Sequence, residues 1–434
     1  MNSKEFSRRR DQLMRMVGTG GIAILPAAPV RTRSRDVAYR FRQDSDFYYL
    51  TGFAEPDAVI VLAPGRDNGE YLLFCRDRDP EKELWDGKRA GPDGAIQDYA
   101  ADDAFPIDDI DDILPGIMES CSRVYYTMGL YADFDARIAD WLNSLRGREA
   151  RGVHTPREFV ALDHLLHDMR LYKSRDEISA MRRSARIAVQ AHTEVMRLMR
   201  PGLYEYEIEA EFMREFRRNA AWMSYSPIVG GGVNACTLHY VENNQELKDG
   251  DLVLIDAGCE LDYYASDITR TIPVNGRFSP EQRAVYEIVL EAQLAAIEMT
   301  RKGNHWNEPH DAAVRVITRG LKKIGLLDGT LARLIKDEAY REYFMHRTGH
   351  WIGMDVHDVG DYKVGDEWRM LEPGMITTVE PGIYIPDSRK VPARWRGIGI
   401  RIEDDVVVTS NGPDVLSKGL VKDPDEIESL MQRA

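Results

Sequence analysis

The spacing of apolar positions changes along this chain, and the changes divide it in two. Across residues 1–172, short apolar runs alternate with stretches of helical period. GIAIL (21–25), DAVIVLAP (57–64), EYLLFC (70–75) and RVYYTMG (123–129) are unbroken runs of strand length, expected as buried strands. Segments 5–17 and 133–146 repeat apolar residues at helical intervals. Together they make a small α/β domain. The acidic stretch DDAFPIDDIDDILP (102–115) reads as a solvated loop leading into a helix start.

LRGREARGV (145–153) is a polar break, followed by a short helix ending near Leu171. A second unit, 173–434, then opens. Ser174 and Glu177 have capping-box spacing. Ile178, Met181, Ala185, Ala188, Met196 and Met199 trace one helical face, and Pro201-Gly202 ends it. Ser279-Pro280-Glu281-Gln282 starts another helix. Segments 252–258 and 262–274 read as strands. MITTVEPGIYI and GIGIRIEDDVVVT read as long strands, with a sharp turn at Pro381-Gly382 that holds Glu380 rigidly. The second unit is therefore expected as α+β, an antiparallel sheet covered by helices.

With 434 residues, two separate cores are feasible. The net charge of −15 opposes nonspecific nucleic-acid binding and anionic membrane surfaces. There is no apolar run of about 18 residues to span a bilayer. The N-terminal MNSKEFSRRRDQLMRM lacks the apolar core of a secretory signal, so a cytoplasmic location is expected. Cys75, Cys121, Cys236 and Cys259 show no paired spacing and are expected as buried thiols.

The chemistry concentrates in the second unit. Asp256, Asp267, His350, Glu380 and Glu403 each lie in a short apolar segment: LVLIDAG, YASDITRT, HRTGHWIGMDVH, TTVEPG and GIGIRIEDD. Four carboxylates and an imidazole cannot converge without cations, because like charges repel and burial penalises them. Two divalent metals would resolve this. The oxygen-rich set favours Mn²⁺, with Co²⁺, Zn²⁺ or Mg²⁺ also suited. Arg401, two residues before Glu403, is placed to orient a metal carboxylate. His346 and His357 flank His350, and His239 follows CTL.

Other patterns carry less. Gly230, Gly232 and Ala235 match G-x-G-x-x-A, but no helix start follows, so a glycine-rich loop lining a site is expected. His305, Glu308, His310 and Asp311 cluster around a first-turn proline and read as a helix cap. His164 and His167 read as a solvated helix face.

These segments closely resemble the Xaa-Pro aminopeptidases (aminopeptidase P) of the pita-bread metallopeptidase family. DSDFYYLTGFAEPDAVIVL (44–62) and ELWDGKRAGPDGA (83–95) are similar to that family's N-terminal domain. SYSPIVGGGVNACTLHY, DGDLVLIDAGCELDYYASDITRTIPV, FMHRTGHWIGMDVHDVG, LEPGMITTVEPGIYI and RGIGIRIEDDVVVT match its catalytic domain. The resemblance implies a catalytic unit of two related α/β halves around a curved sheet. It makes Asp256 the terminal ligand of one metal and gives His350 and Glu380 to the other, with Asp267 and Glu403 bridging. His239, His346 and His357 would lie around the substrate, Arg401 would support the carboxylates, and Glu380 would shuttle the proton. Two manganese ions are the implied cofactors and peptides beginning Xaa-Pro the implied substrates. A homo-oligomer, dimer or tetramer, would bring Trp85 to a neighbour's active site. Prolidase, acting on Xaa-Pro dipeptides, shares these ligands, and metal-free hydrolysis and an inactive binding module use the same fold.

Overall fold

The computed structural model describes residues 3–119 and 121–432. Two compact units emerge, Met1–Met169 and Arg170–Ala434.

The N-terminal unit is built on a six-stranded mixed sheet. Its order is Asp103–Pro106, Tyr71–Cys75, Val59–Leu62, Gly21–Pro26, Arg123–Tyr125 and Glu158–Val160. Gly21–Pro26 runs antiparallel to Val59–Leu62, with Ala23 opposite Leu62, and parallel to Arg123–Tyr125. The three central apolar runs are buried along most of their length, as unbroken hydrophobic strands require. Helices Ile110–Met118 and Ala132–Arg146 close the core with Leu114, Ile138, Trp141 and Leu142. Segment 102–115 departs from expectation. Asp103–Pro106 pairs with Tyr71–Cys75 as an edge strand, because Phe105 packs on Phe74 with ring centroids 5.3 Å apart.

The second unit carries several short antiparallel sheets. Leu252–Asp256 lies between Ile228–Gly231 and Thr269–Pro273. Ile376–Val379 pairs with Asp404–Thr409, and Gly382–Ile385 with Ile398–Arg401. Helices Arg175–Leu198, Glu205–Arg218, Pro280–Met299 and Glu308–Lys323 contribute to its main core. Capping boxes at Ser174/Glu177 and Ser279/Gln282 start two of them. Helix Glu205–Arg218 was not expected, although Ile208, Phe212 and Phe216 recur every four residues on its buried face.

The long strands read from the sequence are interrupted. The first breaks at Glu380-Pro381, the second at Ile402-Glu403, and 262–274 divides around residues 266–268. Apolar periodicity runs through these breaks because the residues on both sides are buried. Two thiols also differ from expectation: Cys75 and Cys259 are buried, but Cys121 and Cys236 are half-buried. Among the described residues, no helix is long and apolar enough to cross a membrane.

Candidate metal centre

The acidic side chains lie where strands stop. Asp256 ends the fully buried Leu252–Asp256 strand. Ala257-Gly258 then passes close to segment 266–268: the Ala257 N–H donates to the Ile268 carbonyl at 3.0 Å. A Cβ on Gly258 would collide with the Ser266 carbonyl oxygen, so this crossing requires glycine. It sets Asp256 near Asp267, and the Tyr225 hydroxyl lies 2.5 Å from Asp256 Oδ1 and 2.6 Å from Asp267 Oδ1.

Glu380 occupies the break after Ile376–Val379, its N–H donating to the Thr348 carbonyl at 2.8 Å. Thr378 N–H donates to the His350 carbonyl at 3.0 Å, and the His350 N–H donates to Thr378 Oγ1 at 3.1 Å. One pair of backbone runs thereby fixes both His350 and Glu380. Nε2 of His350 lies 3.5 Å from Asp267 Oδ2 and 3.7 Å from Glu380 Oε1. Glu403 sits in the next break. Its N–H donates to the Thr269 carbonyl at 3.1 Å, and its Oε2 accepts from Thr269 Oγ1 at 2.6 Å. One donor atom each from Asp267, His350 and Glu403 falls within 4.8 Å of the others.

The charges strain against one another. Burial, then the neighbouring Asp267 charge, raises the Asp256 carboxyl to about 6. Burial above all raises Glu380 to about 7, against the pull of His350 and Arg401. Burial and the charges of Asp267, Glu380 and Asp256 push Glu403 well above the carboxylate range. Burial also pushes Asp267 upward, yet its hydrogen bond and charge interaction with His350 hold it below its ordinary value. The same pairing lifts His350 to about 9, although burial opposes it. Crowded oxygen donors with one imidazole are a donor set suited to hard or borderline divalent cations. The residues present fit such ions.

Arg401 anchors the side of the centre nearest Asp256. Its Nη2 donates to Asp256 Oδ2 at 2.5 Å, its Nε to Thr269 Oγ1 at 3.2 Å, and its Nη1 to the Tyr384 hydroxyl at 3.1 Å. That hydroxyl lies 2.9 Å from His346 Nε2, while His346 Nδ1 lies 2.7 Å from the Arg347 carbonyl. A carbonyl only accepts, so Nδ1 carries the proton and Nε2 accepts from Tyr384. Burial drives His346 to about 3 and keeps the ring neutral. The structure thus gives both His346 nitrogens protein partners. His357 packs edge-on against His350 with centroids 4.4 Å apart. His239 is exposed. Trp85 lies in the other unit, 86% exposed on the short helix Pro80–Asp86.

Tyr225, Thr269, Tyr384 and Asp405 are site residues that sequence reasoning missed. Asp405 Oδ2 accepts the Asp267 N–H at 3.1 Å. It stands two residues beyond Glu403, the same spacing that drew attention to Arg401. No comparable signal marks Tyr225. The glycine-rich segment forms a strand end and the turn Gly232–Cys236, without the long helix a dinucleotide site needs. Helix Glu308–Lys323 starts after Asn307 without a side-chain cap hydrogen bond, and the His305 N–H donates to Glu308 Oε1 at 2.9 Å.

Residues 179–410 match the model of metallopeptidase family M24, and residues 6–125 match the aminopeptidase P N-terminal domain. The Xaa-Pro aminopeptidase of Escherichia coli (strain K12) is 45% identical, covering 100% of this chain and 99% of its own. The structure of Pseudomonas aeruginosa aminopeptidase PepP superposes with a TM-score of 0.99 at 60% identity, over 100% of this chain and 98% of that one. Zinc-substituted E. coli aminopeptidase P in complex with product gives 0.97 at 45% identity, over 100% and 99% of the two chains.

Proposed function

The chain belongs to metallopeptidase family M24, and we propose how its residues divide the work of that family's chemistry. It has the two-domain aminopeptidase P fold, with a pita-bread catalytic domain. It is a metal-dependent hydrolase, an Xaa-Pro aminopeptidase that releases the N-terminal residue from peptides with proline in second position. Residues 1–172 serve as the N-terminal domain and 173–434 as the catalytic domain.

Asp256 would hold one divalent ion and His350 with Glu380 the other, and Asp267 and Glu403 would serve both. We read the pair as Mn²⁺, with Co²⁺ or Zn²⁺ next. When bound, such ions lower the pKa of a water toward neutrality and polarise the scissile carbonyl. The protein's own groups do the rest. Glu380 takes the proton of the attacking water and passes it to the proline nitrogen as that bond breaks. His239 and His357 donate hydrogen bonds to the developing oxyanion or the leaving nitrogen. His346 joins them by exchanging the Arg347 carbonyl for substrate at Nδ1, with Tyr384 holding its far side. Arg401 fixes Asp256. The substrate's free amine sits among the carboxylates, which confines cleavage to the first residue. Proline has no N–H and a locked φ, so a substrate pocket cannot hold it as an ordinary strand.

We further propose a cytoplasmic homo-oligomer, dimer or tetramer, in which Trp85 lines the rim of a neighbour's active site. Its exposure, beside the equally exposed Leu84, supports that reading. The observation that carries the catalytic assignment is the convergence of Asp267, His350 and Glu403 within 4.8 Å. Comparing cleavage of Xaa-Pro-Yaa and Xaa-Pro, with and without Mn²⁺, tests it. Metal-stimulated release of the first residue from the tripeptide is expected, and a metal-indifferent rate contradicts it.

A further inference from the structure

Asp358 follows His357 and is buried between two cations. Arg170 Nη2 lies 2.6 Å from its Oδ1 and Lys173 Nζ 2.8 Å from its Oδ2, and all three side chains are at most 3% exposed. Arg170 Nη2 also reaches Asp355 Oδ2, in the same loop, at 2.7 Å. Burial pushes the Asp358 carboxyl upward, but the two cations hold it below its ordinary range.

The surrounding loop is tight. The Asp358 N–H donates to the Trp351 carbonyl at 2.9 Å, and the Ala265 N–H donates to the Gly353 carbonyl at 2.8 Å. A Cβ on Gly353 would collide with Asp358 Oδ2 and come within 2.8 Å of Lys173 Cε. The segment thus returns on itself, and its ends present His350 and His357 edge to face.

Three desolvated charges are a costly way to pin a loop, and apolar side chains of similar size would often be as stabilising. What the ions add is direction. Each oxygen of Asp358 is held from a different point, Arg170 on helix Asp163–Leu171 and Lys173 just before helix Arg175–Leu198. With both oxygens fixed, the backbone joining Asp358 to His357 cannot rotate freely. We propose that Asp358, clamped by Arg170 and Lys173, is a positioning residue that aims His357 at the substrate. This rests on the reading of His357 as a substrate-facing donor.

A double-mutant cycle on the metal-loaded enzyme tests it. His357→Ala, Asp358→Asn and the double variant are compared for kcat, KM, metal content and melting temperature. Asp358→Asn should lower kcat about 10- to 100-fold, the usual effect of a small misplacement, with metal content unchanged. In the His357→Ala background the same change should cost less than about threefold, because the two residues act as a unit. Lys173→Met, which keeps the stem, should show a smaller loss with the same non-additivity. It decides the matter should Asp358→Asn not fold. Losses that multiply in the double variant, or a lower melting temperature with unchanged kcat, overturn the positioning role. A rate loss in His357→Ala but not in Asp358→Asn rejects the clamp alone. An unchanged kcat in His357→Ala removes the donor reading of His357, and the clamp with it.

Discussion

His192 Nε2 donates to the carbonyl oxygen of Ala257 at 3.0 Å, one residue beyond Asp256. The imidazole is buried and packs edge-on against Phe212, with centroids 4.7 Å apart. Burial drives it down to about 3. An unfolded histidine titrates near 6.5, so on acidification the unfolded chain takes up this proton first. The stabilisation is complete above about pH 6.5 and declines by roughly 1.4 kcal/mol per pH unit toward pH 3. Calorimetry with chelator present should find a shallower fall in melting temperature from pH 7 to 5 in His192→Gln than in the parent. Parallel pH profiles would refute the assignment.

Tyr225 supports the centre without being a ligand in this scheme. Its hydroxyl reaches both Asp256 and Asp267, and one phenol proton can satisfy only one of them at a time. Tyr225→Phe should weaken metal affinity about 10- to 100-fold, the typical loss for a partner of the ligands. Titration calorimetry with Mn²⁺ measures this directly, and an unchanged affinity would make the contact incidental.

Arg270 binds the ligand-bearing segments from behind. Its Nη1 donates to the Glu403 carbonyl at 2.6 Å and the Thr269 carbonyl at 2.9 Å, and its Nη2 donates to Asp404 Oδ1 at 2.7 Å. Asp404 also accepts from Ser417, Gln293 and Lys422. Arg270→Met would leave this buried carboxylate without its arginine. Denaturant unfolding should show a loss of about 3–5 kcal/mol, as expected when one partner of a buried pair is removed. A loss below about 1 kcal/mol would class the pair with surface ion pairs instead.

Trp85 is exposed, so Trp85→Ala should change stability by no more than about 0.5 kcal/mol. Metal content should also stay constant. KM should rise for longer peptides more than for dipeptides, because a rim residue meets the chain beyond proline. Equal effects at every length would reject the rim.

The candidate ligands were legible because each carboxylate sits inside an apolar run, where an unpaired charge is out of place. The turn at Pro381-Gly382 after Glu380 was legible, but the break at Ile402-Glu403 was not. Ile376–Val379 and Gly382–Ile385 are buried on both sides of Glu380, so nothing in the hydropathy marks the stop. Pro381 was the available cue, since proline disrupts a central strand. Helix Glu205–Arg218 was not legible because Pro201-Gly202 ends the preceding helix and Tyr204, at its start, is not an ordinary N-cap residue. Tyr225 could not be read because its role depends on a contact across 31 residues to Asp256. His346 illustrates the reverse difficulty: its place in the motif suggested a free donor, but folding engages both nitrogens.

In the proposed centre, Asp256, Asp267, His350, Glu380 and Glu403 together hold two divalent ions on which hydrolysis depends. Its most direct test is to strip the protein with chelator and titrate Mn²⁺, following bound metal by elemental analysis and Xaa-Pro-Yaa cleavage in parallel. Two equivalents per chain are expected, with activity restored alongside them and metal lost in Asp267→Asn and Glu403→Gln. Full activity in stripped protein, or undiminished metal binding in both variants, would contradict it.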